Sequence, residues 1–256
     1  MTGEHGIVSV ICCFTSEEAL AYLADSLDEQ TLPCERIFVD NQENRFTSAA
    51  AALNYGATKA TGDLMLFCHQ DIRFKDSHAL EDLVTSCDEL QIGDVGGVAG
   101  AIRAGHRKVT KTNITHSPQE VRYDRRDWFY TSYIEVESVD ECVIALRRET
   151  WEVAPFDERL CDGWHLYAVE RCLLARATGC RALAFDARIN HLSVSGTMDK
   201  AFFACLRKLV AVYGAAFDAI VATTGYWSCR YLGASIARHK ANKLLEPLCQ
   251  RRPAVS

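Results

Sequence analysis

A run of apolar residues that stops abruptly at polar side chains constrains this chain more than any other feature of its sequence. Residues 64–68 read LMLFC, and His69, Gln70 and Asp71 follow directly. A continuous apolar run of this length is typical of a strand buried on both faces of a parallel sheet. In open α/β sheets the carboxyl ends of the strands form the edge where ligands bind. We therefore expect Asp71 at a binding edge, where its carboxylate suits a divalent cation that also holds phosphate.

The first half of the chain alternates strand patterns with helix patterns. Apolar runs predict strands at residues 7–14, 36–39, 64–68 and 94–102. Between them, apolar residues at helical spacing predict helices that begin after Ser16 and Thr47, whose hydroxyls are suited to N-caps. This order predicts an α/β fold with a mostly parallel sheet and helices on both of its faces.

The second half is less regular. The charged and aromatic residues 103–135 predict a hairpin or a long loop, which is either a lid over the site or a flap packed on the domain or on another subunit. Patterns for a strand, a helix and a short strand follow, at residues 141–146, 164–178 and 181–185, and helices are expected from residue 199 onward. We therefore expect a domain of residues 1–195 and a helical C-terminal extension of residues 196–256 packed on it.

Composition excludes several classes of protein. A formal net charge of −6 argues against a nucleic-acid binder, which usually has a basic face. The chain has no stretch of about 20 apolar residues that would span a membrane, and its start lacks the pattern of a signal peptide. The 12 cysteines include no C-x-x-C pair, so we expect reduced thiols rather than a zinc site or disulfides. These features together predict a cytoplasmic protein.

Acidic residues follow two consecutive predicted strands. Asp40 comes directly after the second strand, and Asp71 comes shortly after the third. Because parallel strands end at the same edge of a sheet, we expect both carboxylates there. A carboxylate only accepts hydrogen bonds, so Asp40 is suited to the base or the ribose of a nucleotide. The alternative is that these aspartates simply cap helices or solvate turns.

His191 follows another short apolar segment, within the sequence RINHLS. A lone histidine is commonly just a packed or exposed side chain, and that alternative stays open here. Its position after a strand favours a role beside Asp71 on one cation. Mixed carboxylate and imidazole ligation suits Mn²⁺ somewhat better than Mg²⁺.

The segment CDGWH opens the predicted helix of the second half. Asp162 is suited to the N-cap of this helix, and that structural role competes with a catalytic one. His165 lies one turn inside, and Glu170 lies on roughly the opposite side of the helix from His165. A polar helix N-terminus is a suitable place for a general base or for groups that bind sugar hydroxyls.

Four segments in this order resemble family 2 glycosyltransferases of the GT-A fold. They are VSVICCF at residues 8–14, FVDN at 38–41, ALNYGATKATGD at 52–63 and LMLFCHQDI at 64–72. The resemblance extends over residues 8–193. HQDI together with DGWHLYAVERCLLARATG further resembles the branch typified by a streptomycin-biosynthesis protein.

This resemblance implies roles for individual residues. It implies that the nucleotide is bound by Phe14, Asp40, Asn41, Asn54 and His69. Asp71 matches the last aspartate of the D-x-D metal motif, His69 stands at its first acidic position, and His191 matches the late histidine that completes the cation site. The implied cofactor is Mn²⁺ or Mg²⁺.

The resemblance leaves the catalytic base open. Glu170 matches the last acidic position of the family's E-D-x-D helix, but Tyr167 and Ala168 replace its E-D pair. Asp162, His165 and Glu170 therefore remain candidates for the base. The Q-x-x-R-W signature of processive synthases is absent from the sequence, which argues against the synthesis of long polymers.

The expected function is metal-dependent transfer of a sugar, with inversion, from a nucleotide-diphospho-sugar to the hydroxyl of an unknown acceptor. One alternative is an inactive nucleotide- or sugar-binding protein of the same fold. Another is a sugar nucleotidyltransferase, which is disfavoured because residues 15–18, TSEE, lack the glycines and basic residues that hold a triphosphate. A homo-oligomer remains open.

Overall fold

The computed structural model describes residues 6–116, 132–193 and 198–249 of the 256-residue chain, with side chains as far as residue 242. Its helices are α1 (Glu17–Asp28), α2 (Ala49–Ala57), α3 (Ala79–Ser86), α4 (Arg148–Val153), α5 (Tyr167–Ala177), α6 (Lys200–Tyr213) and α7 (Leu232–Cys249). The strands of the first half are β1 (Val8–Phe14), β2 (Glu35–Asp40), β3 (Leu64–Cys68), β4 (Ile72–Phe74), β5 (Val95–Gly97), β6 (Ala99–Ala104), β7 (Arg107–Thr112) and β8 (Thr115–His116). Those of the second half are β9 (Tyr133–Glu135), β10 (Ser138–Val139), β11 (Val143–Arg147), β12 (Ala182–Phe185), β13 (Ile189–His191), β14 (Ala219–Ala222) and β15 (Gly225–Ser228).

A seven-stranded sheet forms the centre of the molecule, in the order β2-β1-β3-β11-β5-β12-β9. Five of these strands run in one direction, whereas β11 and β9 run against them. The predicted mostly parallel sheet is therefore confirmed. The two antiparallel strands are β11 and β9. Their direction matters because an antiparallel strand begins at the edge where its parallel neighbours end.

Helices cover both faces of this sheet, as predicted. Alternate residues of β3 point to opposite faces, so that Phe67 packs with Leu53 of α2, Cys172 of α5 and other residues of one buried cluster. Leu66 belongs to a second cluster on the opposite face, which includes Leu23 of α1 and further apolar residues of α3. The chain thus folds as an α/β sandwich with two hydrophobic layers.

Two local features differ from the sequence predictions, and one agrees with them. Residues 94–102 form two strands in different sheets, β5 and β6, instead of one continuous strand. The cap of α2 is Ser48, whose hydroxyl accepts the amide of Ala51 at 3.2 Å, and not its neighbour Thr47. The Ser16 cap of α1 is confirmed, because its hydroxyl accepts the amide of Ala19.

The start of α5 also differs from the prediction. The helix begins at Tyr167, and its N-cap is Leu166 in a left-handed conformation with φ of 65°. Asp162 is therefore not the cap that its sequence position suggested. This left-handed leucine is unusual, since side chains with Cβ branches or bulk disfavour positive φ.

The C-terminal segment contains more than the expected helices. A hairpin of β14 and β15 lies between α6 and α7. It contacts the preceding part of the chain through an ion pair between Arg103 and Asp218 at 2.6 Å and a hydrogen bond from Ser138 to the carbonyl of Val221 at 2.7 Å. The division of the chain at residue 195 stays a prediction.

The predicted middle segment is only partly described. Residues 99–112 form the hairpin of β6 and β7, in line with the prediction of a hairpin. The aromatic residues that were expected to form a lid or flap fall mainly in 117–131, outside the described residues. Among the helices that the structure describes, none has the length and apolar character needed to cross a membrane.

Candidate functional site

The carboxyl ends of β1, β2 and β3 meet at one edge of the central sheet. Phe14 at the end of β1 is in register with Asp40 at the end of β2, and Cys12 is in register with Cys68 at the end of β3. The side chain of Gln70 connects the two neighbouring loops, because its carbonyl oxygen accepts the amide of Thr15 at 2.8 Å. The residues that follow the three strands therefore lie along one edge, as the sequence predicted.

Two antiparallel pairings bring further residues to this edge. β11 begins beside the end of β3, where Val143 pairs with Cys68 and the amide of His69 donates to the carbonyl of Cys142 at 3.0 Å. In a separate three-stranded sheet, β13 runs antiparallel to β4, which places His191 opposite Ile72. Residues that precede β11 and residues at the end of β13 thus join those that follow β3.

His69, Asp71 and His191 form a compact cluster, with one potential ligand atom from each within 4.8 Å of the others. His191 Nε2 lies 3.2 Å from Asp71 Oδ1, and His69 Nδ1 lies 4.0 Å from the same oxygen. The side chains remain 12%, 20% and 38% exposed for His191, Asp71 and His69, so the cluster can be reached from solvent.

The electrostatics of this cluster favour a charged Asp71. Burial by itself would raise its pKa, but the hydrogen bond and charge of His191 and the charge of His69 hold the pKa well below its usual value. The pKa of His69 is lowered by burial and by the neighbouring His191. A neutral imidazole and an ionised carboxylate are the forms in which these side chains bind metals.

The cluster fits a divalent cation. Two atoms that bind one ion at about 2.1 Å each lie at most about 4.2 Å apart. The separations of 3.2 and 4.0 Å between Asp71 and the two imidazoles are within this limit. Ser193 Oγ lies 3.0 Å from His191 Nε2, so a surrounding polar group is also present. Two imidazole nitrogens and one carboxylate oxygen suit Mn²⁺ and related ions.

Two acidic residues that the sequence analysis did not single out, Asp140 and Glu141, lie next to the cluster. Asp140 accepts the hydroxyl of Thr223 at 2.5 Å and the amide of Cys142 at 3.1 Å. Burial alone would raise its pKa, but the Thr223 bond and the charge of His69 lower it. The signal in the sequence was the VDE triplet of residues 139–141 at the start of the predicted strand 141–146. Its relevance to the site depends on the antiparallel direction of β11, which brings the start of that strand to the binding edge.

Glu141 is the second of these residues and has a different environment. Its Oε1 accepts the amide of Leu166, the N-cap of α5, at 2.6 Å. Burial and the charge of Asp140 raise the pKa of Glu141 to about 8. The surroundings therefore shift the pKa values of these two neighbouring carboxylates in opposite directions.

The predicted nucleotide-binding residues have varied positions. Asp40 is exposed at the end of β2, and its Oδ1 accepts the amide of Gln42 at 2.9 Å. Asn41 is buried, and its side chain holds the following loop through two bonds to the backbone of Phe46, of 2.7 and 3.1 Å. Phe14 is also buried and packs in the layer of α1.

Asn54 connects α2 to the loop that follows α4. Its amide nitrogen donates to the carbonyl of Phe156 and to Glu158, both at 2.9 Å. Its amide oxygen accepts the indole N–H of Trp151 and the amide of Phe156, both at 3.1 Å. These four bonds use the full hydrogen-bonding capacity of the side chain.

The three predicted base candidates all contact α6 or its N-cap. Asp162 forms an ion pair with Lys208 at 2.6 Å and is largely exposed. His165 Nε2 lies 3.5 Å from Asp199, the N-cap of α6. Glu170 is buried and accepts the hydroxyl of Tyr213 at 2.5 Å. The contacts given for these three side chains are thus with α6 and its N-cap, and not with His69, Asp71 or His191.

Solved structures with this fold include several glycosyltransferases. GalNAc-T7 with UDP, GalNAc and Mn²⁺ is 14% identical with a TM-score of 0.59, over 81% of this chain and 48% of that one. The mannosyltransferase PcManGT from Pyrobaculum calidifontis with GDP-Man and Mn²⁺ is 13% identical with a TM-score of 0.52, over 84% and 65%. TarS 1–349 of S. aureus with UDP-GlcNAc is 17% identical with a TM-score of 0.51, over 80% and 66%. At these identities the likeness shows the GT-A fold.

A sequence relative gives less functional information. The chain is 28% identical over 161 residues to the "ATP synthase subunits region ORF 6" protein of Fuscovulum blasticum, which covers 61% of this chain. The chain spans 62% of the length of that relative.

The model of a family described as "Glycosyltransferase like family" matches residues 9–187, which is well over half of the sequence. The chain therefore belongs to the glycosyltransferase-like family.

Proposed function

We propose that this protein transfers a glycosyl group from a nucleotide-diphospho-sugar to an acceptor hydroxyl and requires a divalent cation, Mn²⁺ or Mg²⁺. The observation that carries the proposal is the cluster of His69, Asp71 and His191 at the carboxyl edge of the sheet. An edge with cation ligands beside the ends of β1 and β2 suits a nucleoside diphosphate. The complexes of the structural relatives with UDP, UDP-GlcNAc and GDP-Man support the same class of donor.

Each part of the site has a proposed role. Asp40, exposed at the end of β2, accepts hydrogen bonds from the base or the ribose. Asn41 acts on the nucleotide indirectly, since its side chain holds the loop of residues 42–46. His69, Asp71 and His191 hold the cation, which when bound neutralises charge on the leaving diphosphate. The acceptor hydroxyl attacks the anomeric carbon from the face opposite the diphosphate, with inversion.

One observation favours a second candidate, a protein that binds nucleotide-sugars without turnover. The three sequence candidates for the base have their contacts on α6, through Lys208, Asp199 and Tyr213. A site without a base would bind a donor and leave it intact. The two candidates share the fold and the cation site, so only turnover separates them.

A thermal-shift series with UDP and GDP, each with and without Mn²⁺, tests the proposed site. A ligand at about 100 times its Kd stabilises the native state by about 2.7 kcal/mol, which corresponds to a shift of about 5–10 °C for a chain of this size. We expect such a shift for at least one nucleotide, and only with Mn²⁺. The Asp71→Asn variant is expected to lose it, whereas the matched Asp25→Asn variant on the exposed face of α1 keeps it.

Turnover is measured in the same preparations with UDP-GlcNAc, UDP-GalNAc and GDP-mannose. Hydrolysis by water serves as the basal reaction, because the acceptor is unknown. Release of nucleotide by the wild type and by Asp25→Asn, but not by Asp71→Asn, would support the transferase. A Mn²⁺-dependent shift without any release would favour the binding protein, and no shift with any compound contradicts both candidates. The assignment to the streptomycin-type branch, a homo-oligomeric state and a cytoplasmic location stay predictions.

A further inference from the structure

Inverting transfer requires a group that takes the proton of the acceptor hydroxyl. In this chain Tyr167 and Ala168 stand where the family has its acidic pair, and both are buried. A general base has to lie within hydrogen-bond reach of the attacking hydroxyl, so its position relative to the cation site decides whether it is suitable. Asp162, His165 and Glu170 are engaged with α6 and its N-cap.

Glu141 lies between the residues that follow β3 and the start of α5. It precedes β11, whose first residue, Val143, pairs with the last residue of β3 at the edge that carries the cluster. Its carboxylate oxygen Oε1 is 2.6 Å from the amide nitrogen of Leu166, the residue directly before α5. A carboxylate is thus present at the start of α5, supplied by another part of the chain.

Tyr167 connects Glu141 to the cation cluster. Its hydroxyl lies 3.4 Å from His69 Nε2. The residue directly before it, Leu166, donates its amide to Glu141 at 2.6 Å. Two consecutive residues at the start of α5 therefore contact Glu141 and the cluster.

Asp140 is the other carboxylate at this edge, and its bonds make it the weaker candidate. One of its oxygens accepts the Thr223 hydroxyl and the other accepts the amide of Cys142. Both bonds stabilise the ionised form and so reduce its basicity. Both residues are partly exposed, and the side chain of Glu141 extends one methylene group further from the backbone than that of Asp140.

We propose that Glu141 is the general base of the transfer reaction, an inference that rests on the proposed function. The carboxylate takes the proton of the acceptor hydroxyl while the hydroxyl oxygen forms a bond to the anomeric carbon. The bond between that carbon and the diphosphate oxygen breaks, and its electron pair leaves with the diphosphate. Glu141 ends the reaction protonated and returns the proton to solvent.

The environment of Glu141 supports this role in addition to its position. Burial and Asp140 raise its pKa to about 8, despite the amide bond from Leu166. A carboxylate with this pKa is a stronger base than an ordinary glutamate, and general bases work best when their pKa lies near the working pH.

Glu141→Gln is the central test, because a glutamine oxygen can still accept the Leu166 amide while the side chain no longer takes a proton. The assay measures nucleotide release from UDP-GlcNAc, UDP-GalNAc and GDP-mannose with Mn²⁺, together with the thermal shift produced by UDP or GDP and Mn²⁺. We expect turnover to fall at least about 100-fold, with an unchanged thermal shift. Glu152→Gln, an exposed glutamate on α4, is the matched control and is expected to keep both.

The outcomes separate the two proposals. Turnover by Glu141→Gln within threefold of the wild type would overturn the role of Glu141 and leave the transferase intact. Absence of turnover in the wild type with all three donors overturns both. If Glu141→Gln does not fold, the pH profile of wild-type turnover between pH 6 and 8.5 decides. A rise with pH through a single ionisation supports the base, and a flat profile overturns it.

Discussion

The two halves of the candidate site differ in how the chain builds them. In one half, Asp40 and Asp71 follow strands that run parallel and are consecutive in sequence, so each carboxylate arrives at the edge directly. In the other half, Asp140, Glu141 and His191 arrive by antiparallel strands from distant parts of the chain. The site residues of the first half can be recognised from the local sequence. Those of the second half can be recognised only when the pairing and direction of the strands are known.

The second half contains two adjacent acids whose pKa values are shifted in opposite directions. Asp140 has a lowered pKa and Glu141 a raised one, although they are adjacent. Pairs of titratable groups whose surroundings drive their pKa values apart are typical of acid–base sites. We propose that the parallel half, together with His191, binds the donor and that Glu141 in the antiparallel half carries the proton chemistry.

The largest effect is expected where the two halves meet, at the cation cluster. His69→Ala and His191→Ala each remove one imidazole ligand, so we expect the apparent Kd for Mn²⁺ to rise at least about 10-fold. Turnover should fall about 1,000-fold, about 4 kcal/mol, because a cation at a leaving diphosphate is worth several kcal/mol. Titration calorimetry with Mn²⁺ and nucleotide-release assays measure the two quantities.

His78→Ala provides the control for these variants. His78 is an exposed histidine beside Glu81 at the start of α3, away from the sheet edge. Its loss should leave Mn²⁺ affinity and turnover as they are in the wild type. If His69→Ala has the same Mn²⁺ affinity and turnover as His78→Ala, a role for His69 in the cluster is contradicted. A nucleotide contact would then be the better interpretation of His69.

The pH dependence of stability tests the antiparallel half by itself. Glu141 has a pKa raised to about 8 in the folded protein, so the folded state holds this proton more tightly than the unfolded state. Its contribution to the free energy of unfolding is therefore greatest at low pH and is lost as the pH rises toward 8. The Glu141→Gln variant lacks this ionisation. Relative to the wild type, it should gain on the order of 3 kcal/mol between pH 5 and pH 8.

Urea denaturation of both proteins at several pH values measures this difference. The difference in the free energy of unfolding between variant and wild type cancels the contributions of the other groups that titrate over the same pH range. A constant difference from pH 5 to pH 8 would show that the side chain ionises in the native state as an ordinary glutamate does.

A smaller effect, about 2 kcal/mol, is expected at Asn54. The family resemblance implies a nucleotide contact, whereas the structure shows four bonds that join α2 to Trp151, Phe156 and Glu158. Asn54→Ala leaves partly buried backbone and indole groups unpaired and should lower the free energy of unfolding by about 2 kcal/mol. Denaturation and nucleotide titration, with the exposed Asn242→Ala as control, separate the two roles. A weaker nucleotide affinity without loss of stability would support the contact.

The same comparison explains which features of the fold and of the candidate site could be predicted from the sequence. The central strands, the Ser16 cap and the meeting of β1, β2 and β3 at one edge all come from local patterns of apolar residues and caps. The association of His191 with Asp71 was also predicted, although by an incorrect route. His191 reaches Asp71 in a separate three-stranded sheet and not along the central one.

The remaining features depend on tertiary contacts that one sequence does not contain. The direction of β11, and with it the meaning of Asp140 and Glu141, is set by its pairing with β3 and β5. The start of α5 is likewise set at a distance, because the amide of Leu166 finds its acceptor in Glu141 and not in the nearby Asp162. A propensity argument favours the local cap, since it cannot include an acceptor 25 residues away.

The smallest effect is expected at Asp162. Its carboxylate forms a largely exposed ion pair with Lys208, and pairs of this kind contribute about 0–1 kcal/mol to stability. Asp162→Asn should therefore lower the free energy of unfolding by no more than about 1 kcal/mol, and less at high salt, which screens the pair. Denaturation at low and high ionic strength measures this, with turnover recorded in parallel. A 100-fold loss of turnover at unchanged stability would identify Asp162 as the base, and would move the proton chemistry from the edge beside β11 to the side of the loop that faces α6.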